Sequence, residues 1–131
     1  MGKITDALKK AAEERVGHIE KINRIREREA FVVKKMADSK IDPRIVTYFD
    51  SKAPISEQYK ILRTNILSLN KGQHPKVIMV TSSTHSEGKT ITSLNLAMAI
   101  VQSKSTHKVL VIDADMRRGR IAKYLGVKQE T

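Results

Sequence analysis

Residues 77–100 read VIMVTSSTHSEGKTITSLNLAMAI, an apolar run that breaks into small and polar residues and then resumes as an amphipathic stretch. Residues 77–82 are short, apolar and rich in β-branched side chains, a pattern typical of a parallel strand covered on both faces. Residues 90–103 carry apolar side chains at helical spacing. The stretch therefore predicts a strand, a loop and a helix, in that order.

The loop in this stretch, residues 83–90 (STHSEGKT), fits a phosphate-binding pattern: a small residue, four of any type, then Gly-Lys-Ser/Thr. Backbone amides in such a loop curl around an anion, and the helix that follows points its positive end at the same place. Gly88 permits close backbone approach, Lys89 reaches the terminal phosphates, and the Thr90 hydroxyl can bind Mg²⁺. A surface turn with a solvated lysine is the alternative. The predicted nucleotide-binding residues of the loop are Ser83, Thr84, His85, Ser86, Glu87, Gly88, Lys89 and Thr90.

A second apolar run, residues 109–112, ends in Asp113 and Asp115. These acids are two residues apart, so they lie on the same side of an extended chain. A strand–helix–strand unit is right-handed and binds ligands at the carboxyl ends of its strands, so we expect both acids beside the phosphate loop. There one carboxylate can hold Mg²⁺ and the other can accept a proton from an attacking hydroxyl. Strand-end capping or plain solvation is the alternative for an isolated Asp-x-Asp.

Helical periodicity marks two further elements. Residues 4–25 carry their apolar side chains on one half of a helix and predict an amphipathic N-terminal helix, while the charge-rich residues 26–44 predict a mobile connector with a short ordered piece. A second helix is expected after Pro54, with Ser56 as its N-cap and Gly72 as its stop.

These elements predict an α/β fold class. Residues 1–42 are predicted to form the N-terminal helix and connector, and residues 43–131 a P-loop NTPase domain in which helices flank a parallel sheet. On the second helix, Glu57, Lys60 and Arg63 form a charged strip, for which an ordinary solvated face is the alternative.

Composition narrows the function classes. The 131 residues carry a net charge of +11, but the basic excess is spread along the chain, and three Tyr, two Phe and no Trp offer few stacking platforms. A solvated basic surface is therefore favoured over a nucleic-acid site. The absence of cysteine fits a reducing compartment, and no apolar stretch approaches the ~20 residues of a membrane span, so the expected location is cytoplasmic.

The stretches VTSSTHSEGKT, VLVIDADMRR and SEQYKILRTNI together resemble the bacterial tyrosine kinases of capsular and exopolysaccharide synthesis, over about residues 43–127. The resemblance makes the phosphate loop the family's Walker A motif, and Asp113, Asp115 and Arg117 its Walker A′ motif. It implies ATP-dependent phosphorylation of tyrosines, including those of the protein itself. Lys89, Asp113 and Asp115 would be catalytic, Thr90 and Asp113 would hold Mg²⁺, and Arg117 would orient phosphate.

The same resemblance implies partners and a longer protein. Glu57, Lys60 and Arg63 resemble the family's strip for homo-oligomer assembly, with Lys60 in place of an arginine. A membrane-bound polysaccharide co-polymerase is the implied activator, which would hold the protein at the inner face of the membrane. The family's Walker B motif and tyrosine-rich tail would follow Thr131, so we expect this part alone to be inactive. The alternatives are a partitioning-type ATPase, which carries a further lysine at the place of Thr84, and a non-catalytic regulatory subunit.

Overall fold

The computed structural model of the protein describes residues 2–69, 77–103 and 108–127, and for residues 32, 33 and 35–38 it describes the backbone alone. The chain separates into two compact units, residues 1–38 and residues 39–131. Gly72, the predicted stop of the second helix, lies outside the described residues.

The first unit is one helix, α1, spanning Gly2–Asp38. It is much longer than the predicted helix of residues 4–25. The prediction of a mobile connector is wrong for residues 26–38, which continue the helix. The added turns are rich in Arg, Glu, Lys, Ala and Met, which are good helix formers, so charge density alone does not end the helix. It ends at Asp38, and Pro43 further along disfavours helical backbone at Asp42.

The second unit is built on three packed helices, α2 (Val46–Phe49), α3 (Pro54–Leu69) and α4 (Lys89–Val101). Pro54 suits the first turn of α3 because amides in the first turn have no acceptor within the helix, so the lack of an amide proton in proline costs no hydrogen bond there. Apolar side chains from the α2 region and α4 form the buried centre. They are Ile45, Phe49, Leu94, Leu96, Ala99 and Ile100.

A buried polar pair joins α2 to α4. Asn95 and Thr47 are each 1% exposed. The Asn95 carboxamide oxygen accepts hydrogen bonds from the Thr47 amide (3.1 Å) and hydroxyl (3.0 Å), and its nitrogen donates to the carbonyls of Arg44 (3.0 Å) and Ile91 (2.9 Å). Every hydrogen-bonding group of this side chain is thus satisfied, as burial of an amide requires.

The last helix, α5 (Ile121–Tyr124), is tied to the segment that precedes α2. The Asp42 amide donates to the Tyr124 carbonyl (2.8 Å), and the Arg44 guanidinium both pairs with Asp42 (2.8 Å) and lies 4.9 Å from the centre of the Tyr124 ring. The hydrogen bond from Arg44 holds the pKa of Asp42 below its usual value. Gly126 follows α5 with φ of +66°, where its backbone passes close to Lys40.

The predicted α/β class and its parallel sheet are wrong for the described residues, in which every regular element is a helix. Residues 77–82 and 108–113 are not paired in a sheet, and most of their apolar side chains stay exposed, as Val77 (94%) and Leu110 (83%) show. Two short parallel strands are a marginal structure, because a stable sheet needs about three or more strands or a covering helix. The buried apolar side chains instead come from α4 and from Ile45 and Phe49 in the α2 region.

The predicted N-cap of α3 is also misplaced. The helix begins at Pro54, and Ser56 lies inside it, fully buried. Its hydroxyl donates to the Asp50 carbonyl (2.6 Å), a partner from the α2–α3 turn. A serine near a helix start reads as a cap in sequence, but here it satisfies a carbonyl of the preceding turn.

We expect Asn95→Ala to lower the free energy of unfolding by about 3 kcal/mol, because it removes the partner of several buried polar groups around α2. Urea unfolding followed by circular dichroism measures the change. The matched control is Asn65→Ala on the exposed face of α3, which should change stability by no more than about 0.5 kcal/mol. Equal effects of the two substitutions would contradict this account of the core.

Substitution by alanine should change stability in opposite directions at two glycines, Gly126 and Gly17. A Cβ at Gly126 would lie 2.5 Å from the Lys40 Cβ and would sit on left-handed backbone, so Gly126→Ala should destabilise the second unit by about 1 kcal/mol or more. Gly17 lies inside α1 with nothing within 4 Å of an added Cβ. Gly17→Ala should therefore stabilise the helix by about 0.5–1 kcal/mol. Thermal melts of both variants test the pair, and a stabilised Gly126→Ala would refute the close contact.

Candidate functional site

The phosphate-loop sequence forms an irregular loop that leads directly into α4. Gly88 is the N-cap with φ of +89°, and Ser86 also has a positive φ of +62°. Left-handed residues alternating with right-handed ones turn successive amides toward one point and form anion-binding concavities. The predicted helix after Gly88 is confirmed, since α4 begins at Lys89.

Lys89 is folded over the loop. Its ammonium donates to the Ser82 hydroxyl (2.8 Å) and to the Thr84 carbonyl (3.1 Å), and the Ser82 hydroxyl in turn donates to that carbonyl (2.9 Å). The positive charge is therefore held above the loop by two oxygen acceptors. Both contacts are partly or fully exposed, so a more highly charged anion could draw the ammonium away from them.

The loop already holds one negative charge, the carboxylate of Glu87. This carboxylate accepts a hydrogen bond from the Thr84 amide (3.2 Å). Hydrogen bonding from Thr84 and, to a smaller extent, the charge of Lys89 hold the pKa of Glu87 below its usual value. The Glu87 carboxylate thus occupies a position at which the Thr84 amide donates to an anion, and the same amide could donate to a phosphate oxygen.

The remaining predicted loop residues lie around these contacts. Ser83, Thr84, His85 and Ser86 are exposed, whereas Gly88 and Thr90 are half-buried at the start of α4. Exposure leaves the loop open to a ligand as large as a nucleotide.

Asp113 organises the second predicted motif. Its Oδ1 accepts from the Asp115 amide (3.1 Å), and its Oδ2 accepts from the amides of Arg120 (2.8 Å) and Ile121 (3.1 Å), which begin α5. The hydrogen bond from the Ile121 amide, followed by those from Asp115 and Arg120, lowers the pKa of Asp113. Asp113 is therefore an ionised carboxylate that closes a loop, whatever else it binds.

Asp115 closes a smaller turn within the same loop. Its Oδ1 accepts from the amides of Arg117 (3.2 Å) and Arg118 (2.9 Å). Its other oxygen has no hydrogen-bond partner among the described residues, and the side chain is exposed. Arg117 is likewise exposed.

The two motifs are each internally bonded. Within residues 77–103 and 108–127, no hydrogen bond or salt bridge joins the phosphate loop to the acidic loop of residues 113–121. No group of three or more acidic or histidine side chains gathers in the described part of the chain.

The predicted assembly strip is engaged within the chain. Lys60 pairs with Glu57 (2.7 Å) and also donates to the Ser51 carbonyl, while Arg63 donates to the Ala99 carbonyl of α4 (2.8 Å). Arg63 thus bonds α3 to α4, a contact the sequence did not indicate. Its role in assembly stays a prediction.

Two site residues were missed by sequence reasoning. Ser82 precedes the loop motif, yet its hydroxyl holds the Lys89 ammonium. At Gly119 an added Cβ would lie 3.1 Å from the Asp113 Oδ2, so a side chain there would press on that carboxylate. The motif gives no signal for Ser82, but a glycine between two arginines beside an acidic turn was a signal for a close approach.

Curated relatives share part of this sequence. The tyrosine-protein kinase YwqD of Bacillus subtilis is 36% identical over 86 residues, which are 66% of this chain and 35% of that protein. The putative tyrosine-protein kinase CapB of Staphylococcus aureus is 37% identical over 67 residues, 51% of this chain and 28% of that protein. The putative tyrosine-protein kinase AmsA of Erwinia amylovora is 30% identical over 102 residues, 76% of this chain and 14% of that protein.

No protein-family model matches the chain, and no solved structure matches it. The chain spans about a third of the length of the first relative and less of the other two. The resemblance seen in the motifs is confirmed, because these relatives are all named as tyrosine kinases of bacteria. By sequence, the chain belongs to the family of bacterial tyrosine-protein kinases.

Proposed function

We propose that the whole protein transfers the γ-phosphoryl group of ATP to tyrosine hydroxyls, including its own, in the control of capsule or exopolysaccharide polymerisation and export. The observation that carries the proposal is the loop at the start of α4, where Ser86 and Gly88 adopt left-handed backbone and the Thr84 amide already binds a carboxylate. The kinase relatives support the same function.

In this proposal the loop exchanges one anion for another. A triphosphate takes the place of the Glu87 carboxylate at the Thr84 amide, and the Lys89 ammonium leaves the Ser82 hydroxyl for the terminal phosphates. The exchange is favourable because a phosphate chain carries more charge and more acceptor oxygens than one carboxylate. Lys89 then neutralises charge that develops on the transferred group.

The Thr90 hydroxyl and the Asp113 carboxylate are the proposed holders of Mg²⁺. Both oxygens of Asp113 already accept backbone amides, so it would bind through remaining lone pairs without releasing its loop. Bound Mg²⁺ would supply charge neutralisation at the phosphates. Asp115 has a carboxylate oxygen directed to no described partner and is the better candidate to accept the tyrosine proton, and Arg117 would orient phosphate.

Partners and location are part of the same proposal. No described helix is both long and apolar enough to cross a bilayer. In the proposed function the protein is cytoplasmic and is held at the membrane by a polysaccharide co-polymerase. Assembly through Glu57, Lys60 and Arg63 would use the exposed Glu57 most readily, because Arg63 is bonded to α4.

Lys89→Met should weaken binding of ATP in the presence of Mg²⁺ by at least about tenfold, because it removes a charge that faces the terminal phosphates. Isothermal titration calorimetry with ATP and, separately, with adenosine measures the two affinities. Lys108→Met is the matched control, since Lys108 is an exposed lysine outside the loop, and it should leave ATP binding unchanged. Binding of ATP and adenosine with equal affinity, unaffected by Lys89→Met, would refute the phosphate site and leave a non-catalytic subunit.

Asp113→Asn and Asp115→Asn should differ in their effect on the backbone hydrogen bonds of the acidic loop. An asparagine at position 113 must turn an NH₂ group toward at least one of the amides that Asp113 now accepts, whereas at position 115 the carboxamide oxygen can keep both amide partners. Amide hydrogen exchange at residues 115, 120 and 121 should therefore quicken severalfold in Asp113→Asn and stay slow in Asp115→Asn.

The same pair separates the proposed roles. Asp115→Asn should retain Mg²⁺-dependent ATP binding while the whole protein loses tyrosine phosphorylation. Asp113→Asn should lose the Mg²⁺ dependence of ATP binding. Full phosphorylation by Asp115→Asn would remove that residue from the mechanism.

A further inference from the structure

The helix α1 exposes a long apolar stripe. Its large apolar side chains are 37% to 71% exposed, the extremes being Ile22 and Ile4. Contiguous exposed apolar surface of this kind marks an interaction site, and a long amphipathic helix gains most of its stability from covering that face. The exposed members of the stripe are Ile4, Leu8, Val16, Ile19, Ile22 and Ile25.

Two opposite charges interrupt the stripe at equal distances from Ile22. Arg15 lies seven residues before Ile22 and Glu29 lies seven residues after it, and seven residues are close to two helical turns. All three side chains therefore lie on one face of α1. Both charged residues are exposed.

The residues nearest Ile22 are arranged symmetrically about it. Ile19 and Ile25 lie three residues to either side of Ile22, and His18 and Arg26 lie four residues to either side. A two-fold axis through Ile22 would bring each residue opposite its counterpart on a second copy. The central part of the stripe, around Ile22, thus has the self-complementarity that a two-fold interface requires.

The order of the charges selects the direction of pairing. In a parallel, in-register pair, Arg15 would meet Arg15 and Glu29 would meet Glu29, which places like charges together. In an antiparallel pair centred on Ile22, Arg15 of each copy meets Glu29 of the other, and Arg26 meets His18. Opposed charges at such positions set partner choice and orientation in paired helices.

We propose that α1 is a homodimerisation element that pairs antiparallel with α1 of a second copy of the chain, with the two-fold axis at Ile22. In this register residues 6–38 of the two helices overlap, a length of roughly 50 Å at 1.5 Å per residue. Most of α1 is covered, with Arg15 paired to Glu29 and with Ile19, Ile22 and Ile25 at the centre. This surface is distinct from the strip of Glu57, Lys60 and Arg63.

Disulfide trapping tests the direction of pairing without background, because the chain contains no cysteine. Ile19→Cys and Ile25→Cys chains, one of them carrying a tag, are mixed and oxidised. We expect efficient cross-links between the two different variants in the mixture and few in either variant alone, since a disulfide requires Cα atoms within about 7 Å. Efficient cross-linking of each variant with itself would show parallel pairing and overturn the proposal.

Charge exchange tests the pairing itself. In sedimentation equilibrium, Arg15→Glu should weaken dimerisation by at least about tenfold, since the substituted carboxylate then faces Glu29 of the second copy. The double variant Arg15→Glu/Glu29→Arg should restore the parent affinity. Arg24→Glu, on the opposite face of α1, is the matched control and should leave the affinity unchanged. Circular dichroism of each variant separates loss of pairing from loss of helix.

Three outcomes of these experiments would overturn the proposal. A chain that stays at the monomer mass of 14.8 kDa across all concentrations would show that no second copy covers the stripe. A monomer that co-sediments with phosphatidylglycerol vesicles through α1 would show the same. Failure of the double variant to recover what Arg15→Glu loses would show that the two charges do not face each other.

Discussion

The side chain of Asn95 is the contact on which the described second unit depends. It lies in the middle of α4 and bonds to the backbone at both Arg44 and Thr47, so the short helix α2 cannot shift along α4 without leaving buried polar groups unpaired. Because α4 also begins with Lys89 and Thr90, the same contact fixes the helix from which the phosphate loop extends. Core packing and the candidate site are therefore parts of one arrangement.

The phosphate loop combines backbone donors and side-chain charges that suit an anion. The backbone is left-handed at Ser86 and Gly88. The positive charge of the Lys89 ammonium is balanced by the negative charge of the Glu87 carboxylate, which accepts a hydrogen bond from the loop. Removing the Glu87 carboxylate from the Thr84 amide costs little because both groups are exposed. A ligand with several anionic oxygens can therefore compete for these donors, and this competition is the physical basis of the proposed nucleotide binding.

Local features of the sequence predicted the local features of the structure. The helix after Gly88 and the helix after Pro54 follow from spacing and from residues that favour helix starts, and both are present. The sheet was predicted from the apolar character of residues 77–82 and 109–112, but a strand exists only if another strand pairs with it, and apolar character carries no information on that partner. The length of α1 was underestimated because charged residues with good helix propensity resemble a connector when only apolar spacing is read.

Long-range hydrogen bonds were the least predictable part. Arg63 was predicted to be part of a surface strip, yet it donates a hydrogen bond to the Ala99 carbonyl, and nothing in the sequence singled out Asn95 among the residues of its helix.

The most direct test of the proposed phosphate site is the amide NMR spectrum of the chain as ATP with Mg²⁺, or adenosine alone, is added. The account predicts that ATP shifts the amides of residues 84–90, led by Thr84 as Glu87 is displaced, and that adenosine does not. Shifts confined to other residues, or identical for both ligands, would contradict it.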